Sequence, residues 1–356
     1  MDKPSHLSIV LDLSPKQWHL AAQPGSPHPI TLATFLSHLL AFLNAHIACK
    51  DENSLAIFGA LPGKSILLYS SAAPVDDGDT EPADANTYRP FKLMDSIIMK
   101  SITREIDALG EPETEEPIGF VGALTKALCY INRVTTSNTT SGDRGVDPAT
   151  LPDPRILIIS VSPDQSSSYI SVMNSIFSAQ KLASFDLFYQ KVTIDVCKIF
   201  GAESVFLQQA AHLTGGSYID VDRPDALLQY LMMSFLAPPG LRQLITVPTQ
   251  DKIDFRAACF CHKNIVDIAF ICSVCLSIFC SPVPVCSTCR TKFPIKTLQR
   301  LNASRPNTTP GTPRPPTPAN SLPRSTSIAP QSLPRSTSIV PQSLPRNASN
   351  GASTLR

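Results

Sequence analysis

Seven of the ten cysteines fall within 31 residues, as Cys259-Phe-Cys261-His262, Cys272-Ser-Val-Cys275, Cys280 and Cys286-Ser-Thr-Cys289. Two C-x-x-C pairs at this separation are a zinc signature. Each pair sets two sulfurs on one tight turn, and the hairpin between the pairs closes a tetrahedron. Cys272, Cys275, Cys286 and Cys289 form the complete set. Four thiolates leave no position for a metal-bound water, so such a site contributes folding energy rather than hydrolytic chemistry. Cys259, Cys261, His262 and Cys280 either make a second site, with a RING-like count of eight ligands, or pack as small hydrophobes. On a strand, Cys259 and Cys261 would share one face, an unusual ligand spacing, and this favours one zinc.

Other reactive side chains lack the spacing that chemistry needs. Leu61-Pro62-Gly63-Lys64-Ser65 ends like a phosphate-binding loop, but Phe58 stands where that loop has its first glycine. It reads instead as a hairpin turn. There is no G-x-S-x-G elbow and no spaced Ser/His/Asp or Cys/His set. His38 and His46 sit in an apolar helical stretch as ordinary helix residues, and Glu115-Glu116 lies in a Pro-flanked acidic loop. The residues therefore point to binding and architecture, not to an enzyme.

These elements belong to a chain of 356 residues, long enough for more than one domain. The net charge of +1 gives no global electrostatic case for nucleic-acid binding. Cysteines clustered at metal spacing, with Cys49, Cys129 and Cys197 alone in apolar segments, suit a reducing compartment. Met1-Asp2-Lys3-Pro4 lacks a signal peptide's basic start, and the most membrane-like stretch, 268–280, is too short to span a bilayer. The expectation is a soluble intracellular protein.

Residues 299–356 are a Pro/Ser/Arg-rich tail, with Ser321-Leu-Pro-Arg324 repeated at Ser332 and Ser343. A segment so poor in apolar side chains does not offset its ordering entropy, and disorder is expected. The stretches 72–90 and 135–154 read as polar loops of the same kind. Between them, strand and helix alternate. Strands are expected at 7–13, 54–60, 64–70, 155–161, 191–196 and 217–221, and helices at 31–48, 119–133, 169–183, 202–213 and 224–236. This order implies an α/β domain over 5–240 with a doubly wound, mostly parallel sheet. A linker at 241–256 and a zinc module at 257–298 follow it.

Asp12-Leu-Ser14-Pro-Lys16 ends the first strand, where an open α/β sheet places its ligand crevice. The element resembles the von Willebrand factor A fold, whose metal site in many members uses D-x-S-x-S at this point. Asp12 and Ser14 match, but Lys16 replaces the second serine, which removes a hydroxyl ligand and repels a cation. Thr125 and Asp164 are nearest in order to the fold's later ligands, and neither sits in a matching motif. Asp12 and Ser14 are therefore expected to hydrogen-bond within the turn.

A degenerate A-type domain followed by Asp254-Phe-Arg-Ala-Ala-Cys-Phe-Cys-His262 and Cys272-Ser-Val-Cys-Leu-Ser-Ile-Phe-Cys280 resembles one family in particular. It is similar to the smaller von Willebrand A-like, zinc-finger subunit of the transcription and repair factor TFIIH, the Tfb-four or p-thirty-four family. The similarity covers about residues 5–298. It implies a nuclear, non-catalytic scaffold with Zn2+ as its cofactor. The chief partner implied is a RING-bearing A-type sister subunit, with no small-molecule substrate, membrane or direct DNA contact. The role implied is support of helicase-driven DNA opening in RNA polymerase II initiation and nucleotide excision repair. The alternative from the enzyme class is a RING-like ubiquitin ligase. The sheet crevice and the apolar hairpin Leu276-Ser-Ile-Phe279 are the expected contact patches.

Overall fold

The structure, a computed structural model, describes residues 3–26, 28–72, 87–110, 116–140, 152–165, 168–182, 192–242, 244–245, 253, 255–262, 264–275, 277–294, 296 and 299–300. The chain divides into two compact units, Met1–Ser304 and Arg305–Arg356, and all described residues lie in the first.

Six strands form the main sheet: β1 (Ser5–Asp12), β2 (Ser54–Leu61), β3 (Lys64–Ser70), β4 (Asp153–Ser160), β5 (Thr193–Lys198) and β6 (Tyr218–Asp220). Their order is β3-β2-β1-β4-β5-β6, all parallel except β3, which pairs antiparallel at the β2 edge. This is the doubly wound, von Willebrand A-like arrangement expected from the sequence. β1 is buried at every position because both its faces are covered. Its side chains divide accordingly. Leu7, Ile9 and Leu11 join one core layer, and Val10 joins the other.

The first layer is closed by α1 (Pro15–Ala21), α2 (Leu32–Cys49) and α3 (Arg89–Asp107). α4 (Phe120–Thr140), α5 (Tyr169–Lys181) and α6 (Val205–Thr214) close the second. By length and apolarity α2 is a better candidate to cross a membrane than the stretch singled out in the sequence. Its Phe35, Leu36, Leu39, Phe42 and Leu43, however, all lie in the core. Thr31 caps its start, and Gly215, left-handed at φ 72°, stops α6.

Three expectations need correction. α1 was not foreseen: Ser14 is its N-cap, Pro15 opens it, and Trp18 and Ala21 are its buried face. α3 begins inside the supposed loop at 72–90, of which 73–86 lie outside the described residues. Met94, Ile98 and Ile102, four apart, are the buried stripe that marks it. The loop expected at 135–154 is shorter, because α4 runs to Thr140 and β4 starts at Asp153, with 141–151 outside the described residues. The tail from 301 onward is also outside them.

The helix expected at 224–236 is a composite: a 3-10 turn at Pro224–Ala226, α7 (Leu227–Tyr230) and a π turn at Leu231–Phe235. Leu227, Leu231 and Phe235 are fully buried along it. Its last carbonyls, which have no intrahelical donor, are capped by a buried side chain. Arg155 Nη1 donates to Phe235 O at 2.5 Å and Nη2 to Leu236 O at 3.1 Å. After it, α8 (Pro239–Arg242) brings Arg242 onto Asp195 of β5, bidentate at 2.5 and 2.8 Å.

Two histidines are buried near this end of the sheet. His6 lies between Ser54 Oγ at 2.7 Å and Ser8 Oγ at 3.0 Å, and burial pushes its pKa down to about 4. His46 falls to about 3, through burial first and then the Arg155 charge. Both are neutral in the fold, whereas the unfolded chain protonates them below about 6.5. Stability is therefore complete above that pH. It falls on acidification from about 6.5 towards 4, by up to about 1.4 kcal/mol per pH unit for each histidine. Urea midpoints measured at pH 7 and pH 5 are expected to differ, and to converge in the double variant His6→Gln, His46→Gln.

Candidate metal centre and sheet crevice

Four two-residue strands build the cysteine module: β7 (Ala257–Ala258) pairs antiparallel with β8 (Ile265–Val266), and β9 (Phe270–Ile271) with β10 (Ile278–Phe279). Such short strands hold only if something else closes the turns. Cys272 follows β9, and its amide donates to Ser277 O at 2.9 Å, closing the turn that carries Cys275. A second knuckle repeats the pattern: Cys286 N donates to Thr291 O at 2.9 Å, and Arg290 N to Cys286 O at 2.9 Å. The close turn puts Arg290 at φ 61°.

The two knuckles face each other. Cys272 Sγ is 3.7 Å from Cys289 Sγ, and Cys275 Sγ is 3.5 Å from Cys286 Sγ, with all four sulfurs within 4.8 Å of one another. These separations fit the edges of a thiolate tetrahedron, about 3.8 Å for metal–sulfur bonds of ~2.3 Å. The surroundings favour the thiolate at Cys275 and Cys286, though not at Cys272. Ser277 Oγ lies 3.0 Å from Cys275 Sγ and, with the Ser277 amide, holds that thiol down to about 6. The Cys289 amide, 3.5 Å from Cys286 Sγ, lowers the Cys286 thiol. Cys272, Phe279 and Cys286 form the buried centre, with Phe260, Phe270 and Phe293 against them.

The structure also assembles Cys259, Cys261, His262 and Cys280, again with donor atoms within 4.8 Å of one another. This departs from the preference for one site. The objection rested on an extended Cys-x-Cys, but Cys261 and His262 lie in the turn after β7, where the strand's alternation no longer applies.

The expected hairpin patch is corrected too. Ser277 and Phe279 are buried inside the module, so they are not a contact surface, and Leu276 lies outside the described residues. Ile268, Ile271 and Val274 are the exposed apolar side chains nearby, 80%, 63% and 64% exposed.

At the C-terminal end of the parallel strands, Asp12, Ser160, Ser162, Asp164 and Phe206 line a cleft. Both Asp12 oxygens are engaged by backbone amides there. Oδ2 accepts from Val161 N at 3.1 Å and Ser162 N at 2.7 Å, and Oδ1 from Ser14 N at 3.2 Å. Asp164 accepts from Ser204 Oγ and from Phe206 N at 3.0 Å, at the start of α6. Thr125 is exposed on α4 and does not line the cleft. Lys16 is exposed as well. The buried cation at this site is Lys198, the last residue of β5, whose Nζ donates to Ser162 O at 2.6 Å. Burial lowers its pKa, and the charges of Asp12, Asp164 and Asp220 oppose that shift. Its ammonium supplies the positive charge that a divalent ion would bring. Magnesium at 10 mM is therefore expected to leave the melting temperature within about 1 °C, as read by calorimetry. A bound ion at 100 times its Kd would add about 2.7 kcal/mol.

Family comparison agrees with this geometry. The family model Transcription factor Tfb4 matches residues 4–290. The chain belongs to the Tfb4 family. It is 39% identical to the Schizosaccharomyces pombe General transcription and DNA repair factor IIH subunit tfb4, over 84% of this chain and 92% of that protein. It is 36% identical to the Arabidopsis thaliana General transcription and DNA repair factor IIH subunit TFB4, over 82% and 90%. The crystal structure of the TFIIH p34 N-terminal domain superposes with a TM-score of 0.52 at 30% identity, covering 65% of this chain and 98% of that one. In this Tfb4-family chain, sequence reasoning missed Lys198. Its one available signal is a lysine ending a strand at the edge where the ligand crevice opens.

Proposed function

We propose that this chain is a non-catalytic, nuclear scaffold subunit of the TFIIH core. In this reading it binds a RING-bearing A-type sister subunit. It thereby supports the helicases that open DNA in RNA polymerase II initiation and nucleotide excision repair. The observation that carries the reading is the crevice, where the buried Lys198 charge lies in the field of Asp12 and Asp164, and backbone amides and the Ser204 hydroxyl bond their oxygens. Among the described residues, both carboxylates of the cleft are held by hydrogen bonds from the protein itself, which suits a structural role. Zinc on Cys272, Cys275, Cys286 and Cys289 supplies folding energy to the module. We divide the chain into a sheet domain at 5–240, a linker at 241–256, the zinc module at 257–298 and a tail at 299–356. Exposed Ile268, Ile271 and Val274 suit burial against a protein partner.

One observation favours a second reading. The two four-residue sets alternate along the chain, as they do in a RING-like ligase. An affinity purification of the tagged protein from its own cells, read by mass spectrometry, separates the two. Near-equal recovery of the TFIIH helicases and the sister subunit is the expected result. Recovery of ubiquitin-conjugating enzymes without helicases would replace the scaffold with the ligase.

A further inference from the structure

We propose that Cys259, Cys261, His262 and Cys280 bind a second zinc ion, which fixes the β7–β8 turn to the end of β10 beside the joint with the sheet domain. The donors are already placed for it. His262 Nδ1 is 3.2 Å from Cys280 Sγ, and Cys261 Sγ is 3.5 Å from the same sulfur. Metal bonds of ~2.3 Å to sulfur and ~2.0 Å to nitrogen give tetrahedral edges of about 3.8 and 3.5 Å. A disulfide, at ~2.05 Å, leaves two of the four donors unused and does not fit the separation. Three thiols and an imidazole converging on one point select zinc over harder cations.

The site is built from two parts of the module. Cys259, Cys261 and His262 come from the β7–β8 turn, and Cys280 comes from the residue after β10. Phe260 N donates to Ile278 O at 2.7 Å and holds the turn against β10. Cys280 lies in sequence between the pairs Cys272/Cys275 and Cys286/Cys289, so the β9–β10 hairpin carries ligands of both sites. The segment just before Cys259 is anchored on the sheet domain. Ala258 is buried in the second core layer, Arg256 O accepts from Gln209 Nε2 of α6 at 3.1 Å, and the Phe255 ring meets His212 at 5.3 Å. An ion at this point would cross-link the turn that begins next to this anchor to the β9–β10 hairpin.

Metal content and cobalt spectra of the full-length protein test the proposal. Two zinc ions per chain are expected. The cobalt form should show two spectra together, one of four thiolates and one of three thiolates with an imidazole. Cys280→Ser and His262→Ala should each drop to one ion with the four-thiolate spectrum intact. His262→Cys should keep two ions and convert the second spectrum to the four-thiolate type. The single Cys275→Ser variant is expected to keep the thiolate–imidazole spectrum. Wild-type protein with one ion, unchanged by Cys280→Ser and lost in Cys275→Ser, would overturn the second site and leave the four-cysteine site standing. One ion with a thiolate–imidazole spectrum that survives Cys275→Ser would sink the four-cysteine reading alone.

Discussion

Replacing Cys275 by serine is expected to unfold the module around its two knuckles while the sheet domain stays native. Structural zinc in small domains supplies on the order of 10–16 kcal/mol of binding free energy, and that energy is folding energy. The module has little else. Its strands are two residues long, and its buried centre is Cys272, Phe279 and Cys286. Serine removes a thiolate that two hydrogen-bond donors already favour at Cys275. Hydrogen exchange reads the result. The amides of Cys272 and Cys286, which close the two turns, should lose protection, and those of β1 should keep it. Exchange at Cys286 that matched the wild type would mean that packing alone holds the knuckles. A chelator should act in the same direction on the native chain.

Asp195→Ala is expected to cost about 3–5 kcal/mol, the range for stranding buried charge. Asp195 is 1% exposed and Arg242 is 8% exposed, and their ion pair is bidentate. Asp195 also accepts from Ser217 N at 3.0 Å. Its charge further supports Arg155, whose pKa burial pulls down to about 10 and the Asp195 charge pushes back up. Alanine would leave two buried guanidiniums, whose charges oppose each other, without their main counter-charge. Trp18, the single tryptophan, is buried in the first core layer and reports unfolding of the sheet domain by fluorescence. The urea midpoint should fall by roughly 1–2 M. A midpoint within about 0.3 M of the wild type would show that the Arg242 pair is worth no more than a surface one. Asp195→Asn keeps the Ser217 bond and should fall between the two.

Much of the architecture was legible because its signals are local. β1, β2 and β4 are near-continuous apolar runs, and α2 carries a stripe spaced at three and four. α3 was missed because its N-terminal half follows a polar stretch and its buried face is only one residue wide per turn: Met94, Ile98 and Ile102. α1 was missed because Asp12 and Ser14 were weighed as metal ligands. That obscured Ser14-Pro15 as a helix start, a reading that Trp18 Nε1 donating to Asp12 O at 2.8 Å now supports.

By itself the sequence determined the alternation of strands and helices, the family resemblance and the four-cysteine set. Each depends on spacing within a short segment, which backbone geometry converts directly into shared faces and shared turns. Only the tertiary structure decided the rest. Lys198 and Asp12, 186 positions apart in the chain, meet on the Ser162 backbone because β5 and β1 flank β4 in the parallel sheet. Arg155, Asp195 and Arg242 likewise meet only once α8 has returned to the sheet. The Cys259, Cys261, His262 and Cys280 group needed a turn where strand spacing predicted a mismatch. These are long-range encounters between charges and soft donors. No periodicity announces them, because the groups share a site only after the backbone between them has folded.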